Sequence, residues 1–508
     1  MPSRPWLTTV AFSLFILFFS MLYRPLVGRI FHTGFMATSA RRGGVIVVGS
    51  GLAGLSAASE LVSKNVPVVI LERQQKPGGN SIKASSGING VPTRFQNDSS
   101  DSVESFHADT VKSVSADVMR TVTESRQRLI STLTKSSASA VNWLVDEKGI
   151  DLSRVAALGG HSHPRTHRGA GQTPPGASIV TTLLKQLQAN DLAKIETNST
   201  VTKVLSGRDE GVVGVEVSRD GKSETLQGPV IFASGGFAGD SMGLLARHRP
   251  DLQGYPSTNE ALPGSSDLLT AAGAQLLDMD QVQVHPTGFI DLKDSFKVTK
   301  FLAAEVLRGE GGILLRGGKR FVDELQTRKV VTDAILDKAP DMSTDPIKQW
   351  DVLLVLDEKT YQATKSHVDF YLWKGLMQKT TLSDIANPEP AMKSIREYCD
   401  TVQGKNPDPF GRTNFGNWNM QNPTPETTVY VGLVTPVVHY TMGGVLFTPD
   451  AQVVDASGNP IKGLWAAGEV TGGIHGANRL GGSSLLECVV FGRIAGQKAA
   501  EFLQSKNT

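Results

Sequence analysis

Three glycines and one acid are the first residues in this chain whose types and spacing could hold a ligand. In VIVVGSGLAGLSAASEL (45–61), Gly49, Gly51 and Gly54 stand in G-x-G-x-x-G spacing after four apolar β-formers, and small residues follow at helical positions. A second apolar run, VPVVILER (66–73), carries Glu72, 18 residues beyond Gly54. Strand, glycine turn, helix, strand and acid in that order make a dinucleotide-binding βαβ unit. Gly49 permits the tight turn, Gly51 lets a pyrophosphate approach the backbone, and Gly54 lets helix and sheet pack closely. The helix N-terminus then faces the phosphates, and Glu72 is expected to hydrogen-bond a ribose hydroxyl. The plain alternative is a turn that merely needs glycines; the complete strand–helix–strand context weighs against it.

Further glycine-rich segments separate the two dinucleotide classes. PGGNSIKASSGING (77–90) follows Glu72 directly, VIFASGGFAGD (230–240) is an apolar strand running into a glycine pair, and GLWAAGEVTGG (463–473) repeats that pattern with Glu469. A nicotinamide site rarely needs such cover, whereas an extended FAD must be covered along its length. There is no second complete G-x-G-x-x-G unit, hence no separate NAD(P)H domain. His161, His163 and His167 invite a metal reading, but no acid or cysteine completes a ligand set; they read better as a loop at the substrate entrance.

The composition of the 508-residue chain bounds what these residues can belong to. Lys+Arg 51 against Asp+Glu 49 leaves a formal net charge of +2, which argues against a nucleic-acid binder working by bulk counterion release. Cys399 and Cys488 are the only cysteines, so a disulfide scaffold, a thiolate-held iron–sulfur cluster and a c-type haem are excluded as working assumptions. The 52 glycines follow no Gly-x-y period. A globular enzyme of several domains remains.

The elements that must position these residues follow from periodicity. Residues 103–150 carry helical spacing, 176–191 read as another helix, and strands are expected near 195–205 and 211–218. Further on, 350–358 read as a strand and 390–404 as a helix, while the Pro/Asn-rich 406–425 reads as a surface loop. At the N-terminus, Leu7 to Tyr23 is uncharged and rich in Phe, Leu and Ile, with Arg4 before it and Arg24 and Arg29 behind. Residues 1–42 are therefore expected to be a targeting or anchoring segment, giving membrane association and a mitochondrial or endoplasmic-reticulum destination. Met36 offers a start for a cytosolic form, and the sequons at Asn97 and Asn198 fit a luminal one.

Taken in order, GGNSIKASSGING, RTHRGAG (165–171), VQVHPTG (282–288), AEVLRGEGG (304–312), KRFVDELQTR (319–328), VVHYTMGG (437–444) and GEVTGGIHGANRLGGSSL (468–485) resemble the flavoprotein family of the fumarate reductases and succinate dehydrogenases. The likeness covers roughly 44–508 and is nearest to the soluble, fungal single-chain fumarate reductases. It implies an α/β fold: a Rossmann-like FAD-binding domain in two segments, 43–285 and 431–508, with an α+β capping domain, 286–430, inserted between them. It implies fumarate bound by His285, His439 and Arg479, a proton from Arg328, and reprotonation through Glu305 and Arg308. It also implies that Ser50 and Ala53 in the glycine turn, Arg73 beside Glu72, and Gly79, Asn80 and Ser81 line FAD. Ser85, Ser86, Gly87, Ile88 and Asn89 continue that lining, followed by Ala233, Ser234 and Gly235, then Asp267 and Glu469, and finally Ser484 and Leu485.

Under this resemblance, hydride passes from the FAD N5 to one alkene carbon while Arg328 protonates the other. Arginine is a weak acid, and its use makes sense against a carbanion that is far more basic. Taken alone, Arg308 and Arg328 also fit a solvated helix face, His285 and His439 fit satisfied core histidines, and Arg479 fits a phosphate or loop anchor. Two departures carry consequences. Relatives that tether FAD covalently have a histidine beside the glycine pair, where this chain has Asn80, so non-covalent FAD is expected. Ala304 stands where some relatives have a hydroxyl residue. With no haem or cluster module, electrons are expected from a diffusible donor, a reduced flavin or one derived from NADH. Reduction of another unsaturated acid such as urocanate, amino-acid oxidase-like or steroid dehydrogenation, and a flavin binder without activity are the alternatives.

Overall fold

The computed structural model describes residues 44–97, 99–171, 173–208, 210–344 and 347–506. The apolar run at 7–23, its basic trail and Met36 lie outside them. The described chain starts in β1 (Val45–Val48), buried at all four positions, and the glycine turn launches α1 (Leu52–Ser63). Parallel β2 (Val68–Leu71) pairs with β1 from Val45↔Val68 to Val48↔Leu71. Leu52 to Leu61 are all buried, because α1 is covered on both sides rather than lying on a surface with one apolar stripe. Helices at Val103–Val114, Ala116–Met119, Thr123–Lys135 and Ser137–Asn142 fill the stretch expected to be helical. Next come α2 (Pro175–Gln188), β3 (Ala193–Glu196), an antiparallel meander at Thr200–Gly207, Gly211–Arg219 and Lys222–Gln227, and β4 (Val230–Phe232).

The second layer is a seven-stranded antiparallel sheet. Its strands include β5 (Val282–Phe289), β6 (Ile313–Arg316), β7 (Val352–Leu356) and the 14-residue β8 (Thr428–Thr441). Helices packed on it include Arg328–Leu336, Glu358–Ala363 directly after β7, α3 (Lys365–Lys374) and α4 (Pro388–Val402). In β6 the period-2 alternation sends Leu314 to one face with Val352, Leu354, Val368 and Tyr371, and Ile313 and Leu315 to the other with Ile395, Tyr398 and Trp418. β5 and β8 pair with each other over Val282–Phe289, so both strands run across the limits 285/286 and 430/431 at which the sequence divides the chain. Residues 406–425 contain no helix or strand, yet Arg412 and Trp418 within them are buried. This loop is therefore partly an interior element: a cation and an indole turn inward to satisfy Glu324 and the α4 core.

The C-terminal segment returns to the first layer. β9 (Pro460–Ala466) pairs in parallel with β4, giving the order Gln452–Val454, β9, β4, β1, β2, β3. The last helix, α5 (Ser483–Lys506), lies on α1. A Cβ on Gly492 would sit 2.5 Å from the Ala53 carbonyl oxygen, and one on Gly496 2.4 Å from that of Ala57. Only glycine admits so close an approach of two helix backbones. Among the described residues no helix is long and apolar enough to cross a membrane.

Candidate active site and dinucleotide cradle

The three motif glycines do different work. Gly49 has φ +105°, and a Cβ there would meet Ala233 O at 2.3 Å; on Gly54 it would meet Gly49 O at 2.0 Å. Both seal backbone against backbone. Gly51 is the open one, with only Ser81 Oγ near, at 3.6 Å. Gly51 is the N-cap of α1 and has no side chain to spend on it; Leu52 N donates to Ser81 Oγ (3.1 Å), and the helix start beside the open Gly51 suits an anion. Gly235 likewise has nothing within 4 Å of a Cβ.

Glu72 accepts Ser50 N (3.1 Å) and Ser50 Oγ (2.5 Å) on Oε2 and Gln74 N (2.9 Å) on Oε1. A carboxylate offers about four acceptor positions, so one is left for a hydroxyl. Ser50 Oγ accepts Gly78 N and Ser81 Oγ accepts Leu52 N, which ties the second glycine loop, with Gly79, onto the first. An open glycine at a helix start and an acid with spare capacity fit an adenine dinucleotide.

The remaining cofactor candidates spread along the same line. Asn80 donates to Asn259, and Ser234 and Ser265 share a hydrogen bond. The Ser85 carbonyl accepts from His367, and Ser86 precedes the bend at Gly87 (φ +131°). Ile88 pairs with His167, and Asn89 donates to Gly481 O and Ser483 Oγ. Arg73 donates to Pro263 O. Ala233 donates to Val48 O, Ala53 packs beside Gly468, and Leu485 is buried next to Ser484. Glu469 accepts Thr441 N, and burial pushes its carboxyl up to about 7. Asp267, two positions after Ser265, makes a two-pronged pair with Arg247 through its exposed carboxylate (2.8 and 3.2 Å).

Beyond this cradle the structure gathers Arg328, Glu305, Arg308, His285, His439 and Arg479, from separate stretches of sequence, into one group, all buried except the half-buried His439. Arg328 opens the helix Arg328–Leu336, whose start is capped by Thr327. Its Nε and Nη2 donate to Glu305 Oε2 (2.7 and 2.5 Å), and Nη1 donates to Gln283 Oε1 (2.9 Å). Glu305 Oε1 accepts the Gly159 amide (3.0 Å). Despite its burial, the charges of Arg328 and Arg308 hold the Glu305 carboxyl below its usual range. Arg308 is 1% exposed and donates to Glu324 O, while its Nε and Nη2 are buried without a protein partner. Glu324 is gripped in turn by Arg320 and Arg412.

His285 accepts the Thr287 amide on Nδ1 (3.2 Å), so its proton is on Nε2, which is buried with no partner in the protein. Burial, then the charges of Arg328, His439, Arg308 and Arg479, hold its pKa well below normal, and His439 is lowered in the same way by burial and by Arg328 and Arg479. The two imidazoles lie 5.4 Å apart, with His439 Nδ1 against Thr258 Oγ1 (2.9 Å). The Arg479 guanidinium lies 4.2 Å over the Tyr440 ring, its Nε has no protein partner, and burial followed by the charge of Arg328 brings its pKa down to about 9. Buried guanidinium and imidazole donors without partners are costly. Their balance arrives with an anion that bears acceptors at both ends.

Gln283 is a site residue that the sequence reading passed over. It lies two positions before His285 in an apolar strand, where period-2 alternation puts both on one face. Gly481, beside Arg479 in GANRLGG, lies against the pair: a Cβ there would touch Glu305 Oε2 at 3.1 Å and Arg328 Nη2 at 3.4 Å. The three histidines disperse. His161 donates to Gly481 O, His167 contacts Thr93 Oγ1, and among the described residues no group of metal-ligating side chains occurs.

Comparison with known proteins gives this architecture relatives. Residues 44–485 match the model of an FAD binding domain. The chain is 45% identical to fumarate reductase 1 of Saccharomyces cerevisiae, over 90% of this chain and 98% of that one, and 39% identical to the fumarate reductase of Schizosaccharomyces pombe, over 92% and 91%. A urocanate reductase of Eggerthella lenta is more distant, at 28% over 90% of this chain and 74% of the other. Among solved structures, the open conformation of a flavocytochrome c3 fumarate reductase superposes with TM-score 0.71 at 31% identity, over 91% of this chain and 78% of that one.

Proposed function

The chain belongs to the FAD-binding flavoprotein family of the fumarate reductases and succinate dehydrogenases, and from that premise we propose that its buried cationic group reduces fumarate to succinate. One observation carries the reading: Arg328 is held by Glu305 and Gln283 among Arg308, Arg479, His285 and His439. This arrangement matches a small dianion and not an apolar sterol. When bound, FAD supplies the hydride.

Arg479 and the Nε2 proton of His285 hold carboxylate oxygens, with His439 beside them. As donors already in place in a dry site, they stabilise the negative charge that develops on the reacting acid without reorganising. Arg328 is the proton donor to the second alkene carbon. Glu305, in contact with two of its nitrogens, fixes the plane of the guanidinium and returns a proton to it, with Arg308 behind. A lysine would match the charge but not the fork that engages Glu305 and Gln283 together.

Asn80 beside Gly79 supports FAD held without a covalent bond, and a diffusible reduced flavin or NADH-derived carrier is the electron source. The uncharged run at 7–23 supports attachment to the endoplasmic-reticulum or mitochondrial membrane, with a cytosolic form from Met36. Purified holoenzyme oxidising reduced viologen with fumarate tests the main reading. Arg328→Ala is expected to abolish turnover while the flavin spectrum persists. Faster reduction of urocanate or crotonate than of fumarate would overturn the substrate assignment. Acid precipitation is expected to release yellow flavin into the supernatant, and a reporter fused to residues 1–42 reads the destination.

A further inference from the structure

Behind Arg479 lies a buried polar chain that the chemistry above does not use. Glu487, one turn into α5 and 2% exposed, accepts the Tyr440 hydroxyl on Oε1 and meets His475 Nε2 at 2.8 Å through Oε2. Burial raises the Glu487 carboxyl well above the usual range and, with the charges of Arg479 and Arg126, lowers His475 well below its own. Burial thus disfavours charge on both groups. Tyr440 donates to Oε1, and Oε2 faces His475 Nε2. The loop that carries His475 is fixed from the other side by Arg126, which is fully buried and donates to His475 O (2.9 Å) and Asp278 Oδ2 (2.8 Å).

Arg479 has little else to orient it. Among the described residues its guanidinium makes one hydrogen bond, from Nη1 to the adjacent Leu480 O (3.2 Å), while Gln283 Nε2 holds its backbone carbonyl (3.0 Å); the guanidinium rests on the face of Tyr440 at 4.2 Å. The ring plane of Tyr440 thus sets the plane of the guanidinium, and the Glu487 carboxyl pins that ring by its hydroxyl.

We propose that Glu487 is a positioning residue for substrate binding: bridging Tyr440 and His475, it holds the Tyr440 ring as the platform that aims Arg479 at one carboxylate of the dianion. The inference rests on Arg479 being a carboxylate clamp. It assigns to a buried acid on the last helix a part in selecting dicarboxylates over monocarboxylates.

The test uses holoenzyme of Glu487→Leu, Glu487→Gln, Tyr440→Phe and Arg479→Ala. It measures kcat and KM for fumarate, together with inhibition by malonate and by butyrate. Glu487→Leu is expected to raise KM about tenfold, as expected for a clamp side chain released from its aim. The preference for malonate over butyrate is expected to fall by the same factor, with kcat within threefold and flavin content unchanged. Glu487→Gln keeps an acceptor for Tyr440 and a polar partner for His475, so it is expected to restore KM to within twofold of the parent. Tyr440→Phe keeps the ring but frees it, reproduces the KM rise, and carries the test if the leucine variant fails to fold. The Tyr440→Phe/Glu487→Leu pair is expected to be no worse than either single change. Parental KM and dicarboxylate preference in Tyr440→Phe, or a glutamine variant as impaired as the leucine one, would overturn the inference. If Arg479→Ala itself leaves KM unchanged, it is the clamp reading that falls.

Discussion

A methyl group at Gly481 is a sharp probe of the proton donor, because it enters the relay without removing any of its members. On the native backbone the Cβ of Gly481→Ala would lie 2.7 Å from Leu158 Cδ1, 3.1 Å from Glu305 Oε2 and 3.4 Å from Arg328 Nη2. Carbon–carbon contacts settle near 3.5–4.0 Å, so Leu158 must retreat by about 1 Å, and Glu305 by a few tenths. Leu158 can move its side-chain end. Glu305 cannot move freely, because one oxygen is held by the Gly159 amide and the other by two Arg328 nitrogens. Overpacking of this kind costs about 1–3 kcal/mol of stability. Displacing the guanidinium from its aim is expected to lower kcat about tenfold, about 1.4 kcal/mol on the barrier, with KM for fumarate within twofold. The assay is anaerobic oxidation of reduced viologen by fumarate, with flavin absorbance as a measure of integrity. Gly171→Ala, where nothing lies within 4 Å of the new carbon, is the neutral control. Adding Leu158→Ala relieves the larger overlap but not the one on Glu305. Full recovery of kcat in that double variant, or parental kcat in Gly481→Ala alone, would refute the reasoning.

Three further outcomes follow from the same geometry. Gly51→Ala has room for its methyl in the protein and is expected to fold with a thermal midpoint near the parent, yet to weaken FAD binding more than tenfold, read by titrating apoenzyme. With Arg479 brought down to about 9, the free enzyme loses that cation as pH rises through this value. kcat/KM for fumarate is therefore expected to fall above about pH 9, where free-enzyme ionisations control it, while kcat changes less because the bound dianion holds the proton on. Glu324→Gln uncouples a fully buried carboxylate from Arg320 and Arg412 and is expected to cost about 3–5 kcal/mol, as breaking a buried pair does; denaturant unfolding measures it.

The β1–α1–β2 unit was legible residue by residue because its signal is local: apolar strand, glycines, small helix residues and acid lie within one short stretch of chain. The six charged and imidazole site residues were legible through ordered motifs, not through any spacing that brings them together. Arg328 meets Glu305 across 23 positions and Gln283 across 45, and no period in the sequence encodes either contact. Gln283 left a usable trace as a polar residue in step with His285 on an apolar strand. Glu487 left one too, as a single acid within the apolar run LLECVVF. The 406–425 stretch is the largely exposed loop that its prolines and asparagines suggest, but composition does not describe the inward turn of Arg412 and Trp418.

The close seat of α5 on α1 has a consequence for how the molecule is made. Ala53 and Ala57 are translated near the start of the described chain, and Gly492 and Gly496, which they receive, near its end; β9 completes the first sheet only shortly before. A nascent chain leaving the ribosome can assemble the antiparallel sheet once β8 has emerged, while its glycine turn still lacks both β9 and the helix that backs it. The backing of the glycine turn is thereby the last part of the described chain to be made, and a transcript truncated before residue 480 would leave α1 without the helix that packs on it.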